Sequence, residues 1–212
     1  MILSEIQDDI YSELGESTDG TGFVADDELN SYINEAQFDI NLKTRSIWTQ
    51  STINIDVNSF SFDYPADSVI FMERILYAES GNERTIYPKT INFLDDTQEG
   101  WEKQSYGIPE YYYQLNTNEK GYVDVAFNAD TSLTADYISI PTTLSSSADT
   151  PQLDTKLHRC LVLFSLYRIL LKEQDGDSIN KAMEYYKEYL LTIHQFKTPS
   201  LKRKRGSKAR IS

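Results

Sequence analysis

The spacing of apolar residues changes twice along this chain of 212 residues, and that change limits the folds it can adopt. Near the start, Ile2, Ile6 and Ile10 recur every four residues, which is the spacing of one face of an α-helix. From about residue 52, apolar and polar residues alternate, as in a β-strand with one buried face. From residue 153 the helical spacing returns. The sequence therefore predicts helices at both ends and strands between them.

Four helices are predicted from this spacing and from the residues that begin and end helices. The first ends at Gly15, a favourable C-cap, and the second begins near Ala25 or Asp26, where acidic residues suit the helix dipole. The third starts after Pro151, and Asp177 or Ser178 caps the fourth. The fourth helix has its apolar positions at Ile179, Met183, Tyr186, Leu190 and Ile193.

The middle of the chain is predicted to be antiparallel β-structure. Alternating residues over 53–57 and 60–64, with Asn58 and Ser59 between them, indicate a hairpin that Pro65 closes. A short helix or helical turn is expected over 90–101. The remaining predicted strands cover 69–77, 85–87, 110–115, 122–128 and 133–140.

These elements predict an α+β fold class, with a helical bundle built from the N- and C-terminal helices and an inserted antiparallel β-region. Amphipathic helices must bury their apolar stripes, so the two terminal pairs are expected to pack on each other. The predicted division is a domain over 1–196 and a basic tail over 197–212. Within that domain the bundle takes 1–48 and 151–196, and the β-region takes 50–142.

Charge is distributed very unevenly between the domain and the tail. Residues 1–196 contain 13 basic and all 33 acidic residues, a formal charge of −20, whereas the tail carries seven basic residues and no acidic one. A body this acidic repels nucleic acid at long range. The tail is therefore the segment with a clear electrostatic preference for an acidic partner.

Residues able to support catalysis are scarce. The two histidines, His158 and His194, stand among apolar neighbours on different predicted helices, so structural or surface roles are expected. Acidic pairs such as Asp8 and Asp9 lack the alternating ligand spacing of a calcium loop. Cys160 lies in an apolar run and is expected to be buried. The sequence predicts no enzyme activity, no metal site and no cofactor.

Localisation is predicted from what the sequence lacks. The start has no basic and apolar signal-peptide pattern, and no stretch is long and apolar enough for a membrane span. Synthesis in a reducing cytoplasm is expected, with no membrane association.

Three consecutive tyrosines, Tyr111, Tyr112 and Tyr113, could stack nucleic-acid bases. In an alternating strand two of the rings share one face and the third takes the other. No Lys or Arg is interleaved with them to hold a phosphate backbone. A role in the core or in a subunit contact is therefore favoured.

The order of these features resembles the head–tail adaptor, or connector, proteins of tailed bacteriophages, particularly those of short-tailed phages. The resemblance lies in a degenerate pattern of positions over most of residues 1–196. Its segments are VADDELNSYINEAQFDI at 24–40, FDYPADSVIFMERIL at 62–76, GIPEYYYQL at 107–115 and LDTKLHRCLVLFSLYRILLKEQD at 153–175, followed by a Tyr-rich last helix.

The resemblance implies a structural virion protein of the neck or tail, made in the host cytoplasm. It implies a ring, expected to have twelve subunits, bound to the portal above and to tail tube, nozzle or fibre proteins below. Genomic double-stranded DNA would pass through the ring without sequence-specific binding. The charge of the body predicts separately that an acidic lumen would let DNA slide, or else that the charge keeps the monomer dispersed until assembly. The alternatives are another virion ring or tail-completion protein and, from a different class, a DNA-binding regulator that uses the basic tail.

The tail stands where such families have an extension that docks on the portal. Sixteen residues span at most about 50 Å, and each exposed ion pair contributes about 1 kcal/mol or less, so many copies in one ring would bind multivalently. There are two other possibilities: the tail is a solvated terminus without a partner, or it contacts packaged DNA. The predicted docking residues are Lys197, Leu201, Lys202, Arg203, Lys204, Arg205, Lys208 and Arg210.

Overall fold

Two parts of the chain that are far apart in sequence, residues 1–45 and those from 144 onward, form one unit, and residues 46–143 form a second. The computed structural model describes residues 1–16, 23–65, 69–79, 82–93, 106–114 and 120–196. We call the first part the helical unit and the second the sheet unit, and each is described by itself.

The described residues of the helical unit form four α-helices. They are α1 (Leu3–Leu14), α2 (Asp26–Thr44), α3 (His158–Glu173) and α4 (Gly176–Phe196), with a 3-10 turn at Thr155–Leu157 before α3. Helix α3 contacts each of the other three. The predicted apolar face of α2, at Leu29, Ile33, Ala36 and Ile40, is fully buried. Helices from the two ends of the chain therefore share one core.

The predicted glycine cap of α1 is confirmed. Gly15 has a φ of +74°, and its N–H and that of Glu16 bond to the carbonyl oxygens of Ser12 and Tyr11. Gly15 is therefore a left-handed C-cap that satisfies two carbonyl groups at the end of the helix.

The predicted starts of the last two helices are wrong. The side chain of Asp154 accepts the N–H of Lys156 and fixes the 3-10 turn, so α3 begins at His158 and not after Pro151. At the start of α4, Oδ1 of Asp175 accepts the N–H groups of Asp177 and Ser178 at 3.0 and 2.9 Å. Neither Asp177 nor Ser178 is therefore the cap, because the side chain of Asp175 caps the helix.

The sheet unit contains seven described strands in one sheet. They are β1 (Trp48–Ile55), β2 (Ser61–Asp63), β3 (Val69–Glu79), β4 (Asn82–Pro88), β5 (Tyr111–Gln114), β6 (Lys120–Val123) and β7 (Thr131–Ser139). Their order is β1-β7-β3-β4-β5-β6-β2, and the pairing of β4 with β5 is parallel while the others are antiparallel. The two strands at the ends of this order, β1 and β2, also contact each other, which nearly closes the sheet.

The predicted hairpin over 53–64 is wrong in its pairing. Strand β1 pairs with β7 from Trp48↔Ile138 to Ile55↔Thr131, and β2 pairs with β6. The connection between β1 and β2 turns at Asn58, whose φ is +65° and whose N–H bonds to the carbonyl oxygen of Phe127. Both strands therefore form their hydrogen bonds with segments far along the chain.

The predicted fold class, a helical bundle with an inserted antiparallel β-region, is also wrong. The structure is mixed α/β with a nearly closed, barrel-like sheet of seven strands. This sheet encloses a core of its own, and so it is a principal part of the fold and not an insertion into a bundle. The buried residues of that core include Ile53, Ile55, Phe62, Ile75, Ile86, Val123, Leu133 and Tyr137. The sequence pattern identified single strands but did not show that they would close around a common interior.

The predicted helical segment over 90–101 falls mostly outside the described residues, of which 91–93 are helical. Among the described helices none has the combination of length and apolar character that crossing a membrane requires. The predicted boundaries of the domain, the β-region and the tail stay a prediction.

Gly121 provides a test of the sheet closure. In the β2–β6 pairing it lies opposite Phe62, and a Cβ atom at position 121 would stand 2.2 Å from Cζ of that ring. We expect Gly121→Ala to lower the free energy of unfolding by about 1–3 kcal/mol, because the Phe62 ring must leave its packed position. Urea denaturation measures the loss.

Gly107→Ala is the matched control, because its Cβ would lie at an ordinary 3.7 Å from Val125 Cγ2. No loss of stability is expected there. An equal loss in both variants would mean that removing a glycine, and not the contact with Phe62, is the cause.

Candidate interaction surfaces

The basic residues predicted to bind a partner follow directly after the last described helix. Helix α4 ends at Phe196, and the whole predicted docking tail over 197–212 lies outside the described residues. All eight predicted residues, from Lys197 to Arg210, are in that part of the chain. Their role as a docking segment stays a prediction, and α4 is the element that carries them.

One buried tyrosine fixes α4 to the rest of the helical unit. The ring of Tyr189 is fully buried and meets Phe164 of α3 edge-on, with 5.3 Å between ring centroids. Its hydroxyl donates a hydrogen bond to the carboxylate of Asp39 on α2, and Lys43 forms an ion pair with the same carboxylate. Burial and the hydrogen bond to Asp39 raise the pKa of Tyr189 above its ordinary value. The hydroxyl is therefore satisfied as a donor and stays protonated at neutral pH.

A second aromatic contact continues along the same side of α4. Tyr186 stacks on Tyr167 of α3 with 4.5 Å between ring centroids, and it also stacks on Tyr189 at 5.8 Å. Such ring pairs contribute about 0.5–1.5 kcal/mol each beyond the area that they bury. Four rings thus fix α4 on α3, and the buried hydroxyl of Tyr189 fixes it on α2.

The apolar face predicted for α4 does not match the face that the helix buries. The buried residues are Ala182, Tyr189 and Ile193, of which the sequence analysis identified only Ile193. Met183 is 53% exposed, and Ile179 and Leu190 are each 39% exposed. The last two turns carry a further exposed apolar side chain, Leu191. We call Ile179, Met183 and Leu190 the α4 stripe.

Two residues of the α4 stripe, Met183 and Leu190, line a groove on the outside of the helix. The groove is lined by Met183, Tyr186, Lys187, Leu190, Leu191 and His194, and its accessible lining is almost entirely apolar. Large apolar side chains that share one exposed groove are typical of surfaces that bind a partner. The sequence signal was present, because these positions keep helical spacing, but spacing alone does not distinguish a core face from an exposed one.

A smaller apolar patch lies on α2. Phe38 and Leu42 are one helical turn apart and are 41% and 40% exposed. They lie across the helix from the buried Ile33 and Ile40. Glu35, one turn before Phe38, pairs with Arg168 of α3 at 2.6 Å while its side chain stays 42% exposed. We call Phe38 and Leu42 the α2 patch.

The two histidines have different surroundings. His158 is buried, with Nε2 at 3.2 Å from the carbonyl oxygen of Leu153 and Nδ1 at 3.2 Å from the amino group of Met1. Burial lowers the pKa of its imidazole, which is consistent with a neutral ring that bonds at both nitrogens. His194 is exposed beside the α4 stripe. The two residues are thus a buried structural group and a surface group, as the sequence analysis expected.

Cys160 is buried, as predicted, and its burial raises the pKa of the thiol to about 11. Within the described ranges no three His, Cys, Asp or Glu side chains are grouped so that they could hold a metal ion.

The three consecutive tyrosines lie in strand β5 and divide between two faces. Tyr112 is buried in the core of the sheet, whereas Tyr113 stacks on Tyr122 with 5.2 Å between centroids. Tyr111 meets Phe93 edge-on at 5.7 Å. The amine of Lys89, the residue after β4, stands 3.6 Å from the centroid of Phe93. The rings are therefore used in packing within the sheet unit, which is the role that the alternation favoured.

Comparison with known proteins gives one family. A family model described as SU10 adaptor protein matches residues 1–210. A search of curated proteins finds no match for the chain.

Tyr189→Phe tests the anchoring of α4. The change keeps the ring and removes the hydroxyl that Asp39 accepts, so we expect a loss of about 1–2 kcal/mol in the free energy of unfolding. Urea denaturation followed by circular dichroism measures it. Tyr32→Phe is the control, because the hydroxyl of Tyr32 bonds to the half-exposed Glu28 within the same helix, and less than about 0.5 kcal/mol should be lost.

The pH dependence of stability provides a second readout for the same variant. The folded state holds the Tyr189 proton above the ordinary pKa, whereas the unfolded chain releases it near pH 10. The stabilisation is thus complete below that pH and declines as the pH rises above it. The decline should be less steep in Tyr189→Phe than in the natural chain. Parallel declines would show that the hydroxyl contributes nothing specific.

Proposed function

The chain belongs to the SU10 adaptor protein family, and from this we propose that it forms a ring under the portal of a tailed phage, joins the capsid to the tail and lets genomic DNA pass. The family match over residues 1–210 is the observation that carries the proposal. The family is one of structural phage proteins, so the protein is a virion component that associates with other head–tail proteins. In the proposed role it has no catalytic activity.

The exposed apolar surfaces support a protein that functions in an assembly. The α4 stripe and the α2 patch together place five large apolar side chains at the surface of the helical unit. Soluble monomers rarely keep contiguous apolar surface exposed, whereas subunits of an assembly cover it with their neighbours. The ring is expected to have twelve subunits, as the family resemblance implies.

The charge of the chain supports a passage through which DNA slides. Residues 1–196 carry a formal charge of −20, and phosphates are repelled by an acidic surface. We propose that part of this charge lines the lumen of the ring. Double-stranded DNA would then meet few positions where it binds tightly. A ring whose lumen is lined mainly by Lys and Arg would contradict this part of the proposal.

The basic tail is proposed as the segment that docks on the portal. Seven cations follow the end of α4 at Phe196, so every subunit of a ring presents its tail from an equivalent helix end. Each ion pair contributes about 1 kcal/mol or less, but linked tails on one ring bind with a high effective concentration. The tail-side partners, which are tube, nozzle or fibre proteins, would bind a different surface of the ring.

Electron microscopy of the purified protein mixed with its portal tests the function. We expect rings attached coaxially to the portal, with the subunit number visible in axial views. Protein that never joins the portal would contradict the proposal. If the protein instead binds free DNA with an affinity that falls steeply with salt, the alternative of a DNA-binding regulator would be favoured.

Deletion of residues 197–212 tests the tail separately. We expect rings of the deleted chain to detach from the portal at salt concentrations that the full chain tolerates. A control chain with Gln at the seven basic positions keeps the length of the tail and removes its charge, and it should behave like the deletion. Unchanged attachment of either variant would refute the docking role of the tail while leaving ring formation intact.

A further inference from the structure

We propose that the α4 stripe of one subunit packs on the α2 patch of a neighbouring copy of this chain, and that this contact joins the subunits of the ring. The inference rests on the proposed function and identifies the surfaces that would form the ring. It starts from two apolar surfaces that lie on different helices of the same unit.

The α4 stripe extends the buried face of its helix into solvent. Successive residues of an α-helix are rotated by about 100°, so Ile179, Leu190 and Met183 lie on the flank next to the buried Ile193. The apolar arc of α4 is thus much wider than the part that α3 covers. The stripe from Ile179 to Leu190 spans eleven residue-to-residue steps, or about 16 Å. A helix with such an uncovered apolar flank is suited to packing against a second element.

The α2 patch provides an apolar surface on a second helix. Phe38 and Leu42 stand one turn apart on a helix, and they form a ridge that can lie between the side chains of an adjacent helix. The patch faces away from the core that α2 forms with α3, since the buried Ile33 and Ile40 lie on its opposite side. It is therefore open to a neighbour.

Charge distinguishes this pairing from a contact between two α4 stripes. Lys187 is exposed beside the stripe, and among the residues that the structure describes it makes no ion pair. If two copies of α4 packed antiparallel, with Met183 opposite Leu190, both Lys187 side chains would meet near the twofold axis and repel each other. On the α2 patch the same cation would instead meet the carboxylate of Glu35, which pairs with Arg168 of its own subunit and stays 42% exposed.

Symmetry gives the same preference. A contact between identical surfaces closes at a dimer. A contact between two different surfaces leaves one surface free on each of the two subunits, so further copies can add until a ring closes. The α4 stripe and the α2 patch are such a pair of different surfaces. A ring of copies would cover both of them in every subunit.

Disulfide trapping tests the contact. One chain carries Met183→Cys and a second carries Phe38→Cys, and the two are mixed, assembled on portal rings and oxidised. The natural Cys160 is buried and should not react. We expect the mixture to give at least fivefold more disulfide-linked dimer on non-reducing gels than either variant alone. Glu184→Cys, which is exposed one residue from Met183 and points about 100° away, replaces Met183→Cys in the control and should give no such product.

A charge exchange provides an independent measurement. Lys187→Glu in the Met183→Cys chain should lower the yield of linked dimer severalfold, because like charges then meet across the contact. Glu35→Lys in the Phe38→Cys chain should restore it. Unfolding temperatures of the separate chains show whether a loss of yield comes from the contact or from a loss of folding.

The outcomes separate this inference from the proposed function. Portal-bound rings without the 183–38 linkage would overturn the contact and leave the function standing. Linkage of Met183→Cys to itself would assign a symmetric dimer and also overturn it. Protein that forms no portal-bound ring would refute the function, and the contact with it.

Discussion

The helical unit depends on one constraint, which is that α3 is apolar on nearly all sides and must be surrounded. Ten of its sixteen residues are buried, including a continuous run from Cys160 to Leu166. A helix of this kind cannot be covered by a single neighbour. Helices α1 and α2 from the start of the chain and α4 from its end all contact α3. The two ends of the chain therefore have to fold together. The chain leaves the helical unit at residue 46, forms the sheet unit and enters the helical unit again at residue 144.

The helices could be predicted from the sequence because their signals are local. The cap at Gly15 and the buried face of α2 from Leu29 to Ile40 depend on residues within a few turns of each other. The strand pairing could not be predicted in the same way. Strand β1 bonds to β7 some eighty residues away, and only the closure of the sheet around residues such as Leu133 and Tyr137 selects that register. The predicted fold class was wrong because the alternation within a single strand does not indicate that seven strands close around one core.

The candidate surfaces show a different limit of sequence analysis. Helix α4 has apolar residues over an arc wide enough for two partners, and its spacing does not say which part faces the core. Tyr189 decides this, because its hydroxyl is buried and is satisfied there by the carboxylate of Asp39 on α2. Turning that side inward leaves Met183 and Leu190 outside. The buried polar contact thus determines the position of the exposed apolar stripe, although the two are on different faces.

The exposed apolar surfaces favour association between copies of the protein, whereas the strongly acidic body opposes it. A formal charge of −20 over residues 1–196 repels another copy at distances up to the screening length of about 8 Å. Apolar attraction acts only once surfaces touch. Free copies should therefore stay apart in spite of the α4 stripe, unless a partner holds them side by side. In the proposed function the portal provides that support, since cationic tails bound to one ring would bring neighbouring subunits within contact distance. The acidic residues would then keep free copies apart before assembly, and the exposed apolar side chains would hold neighbouring subunits together after it.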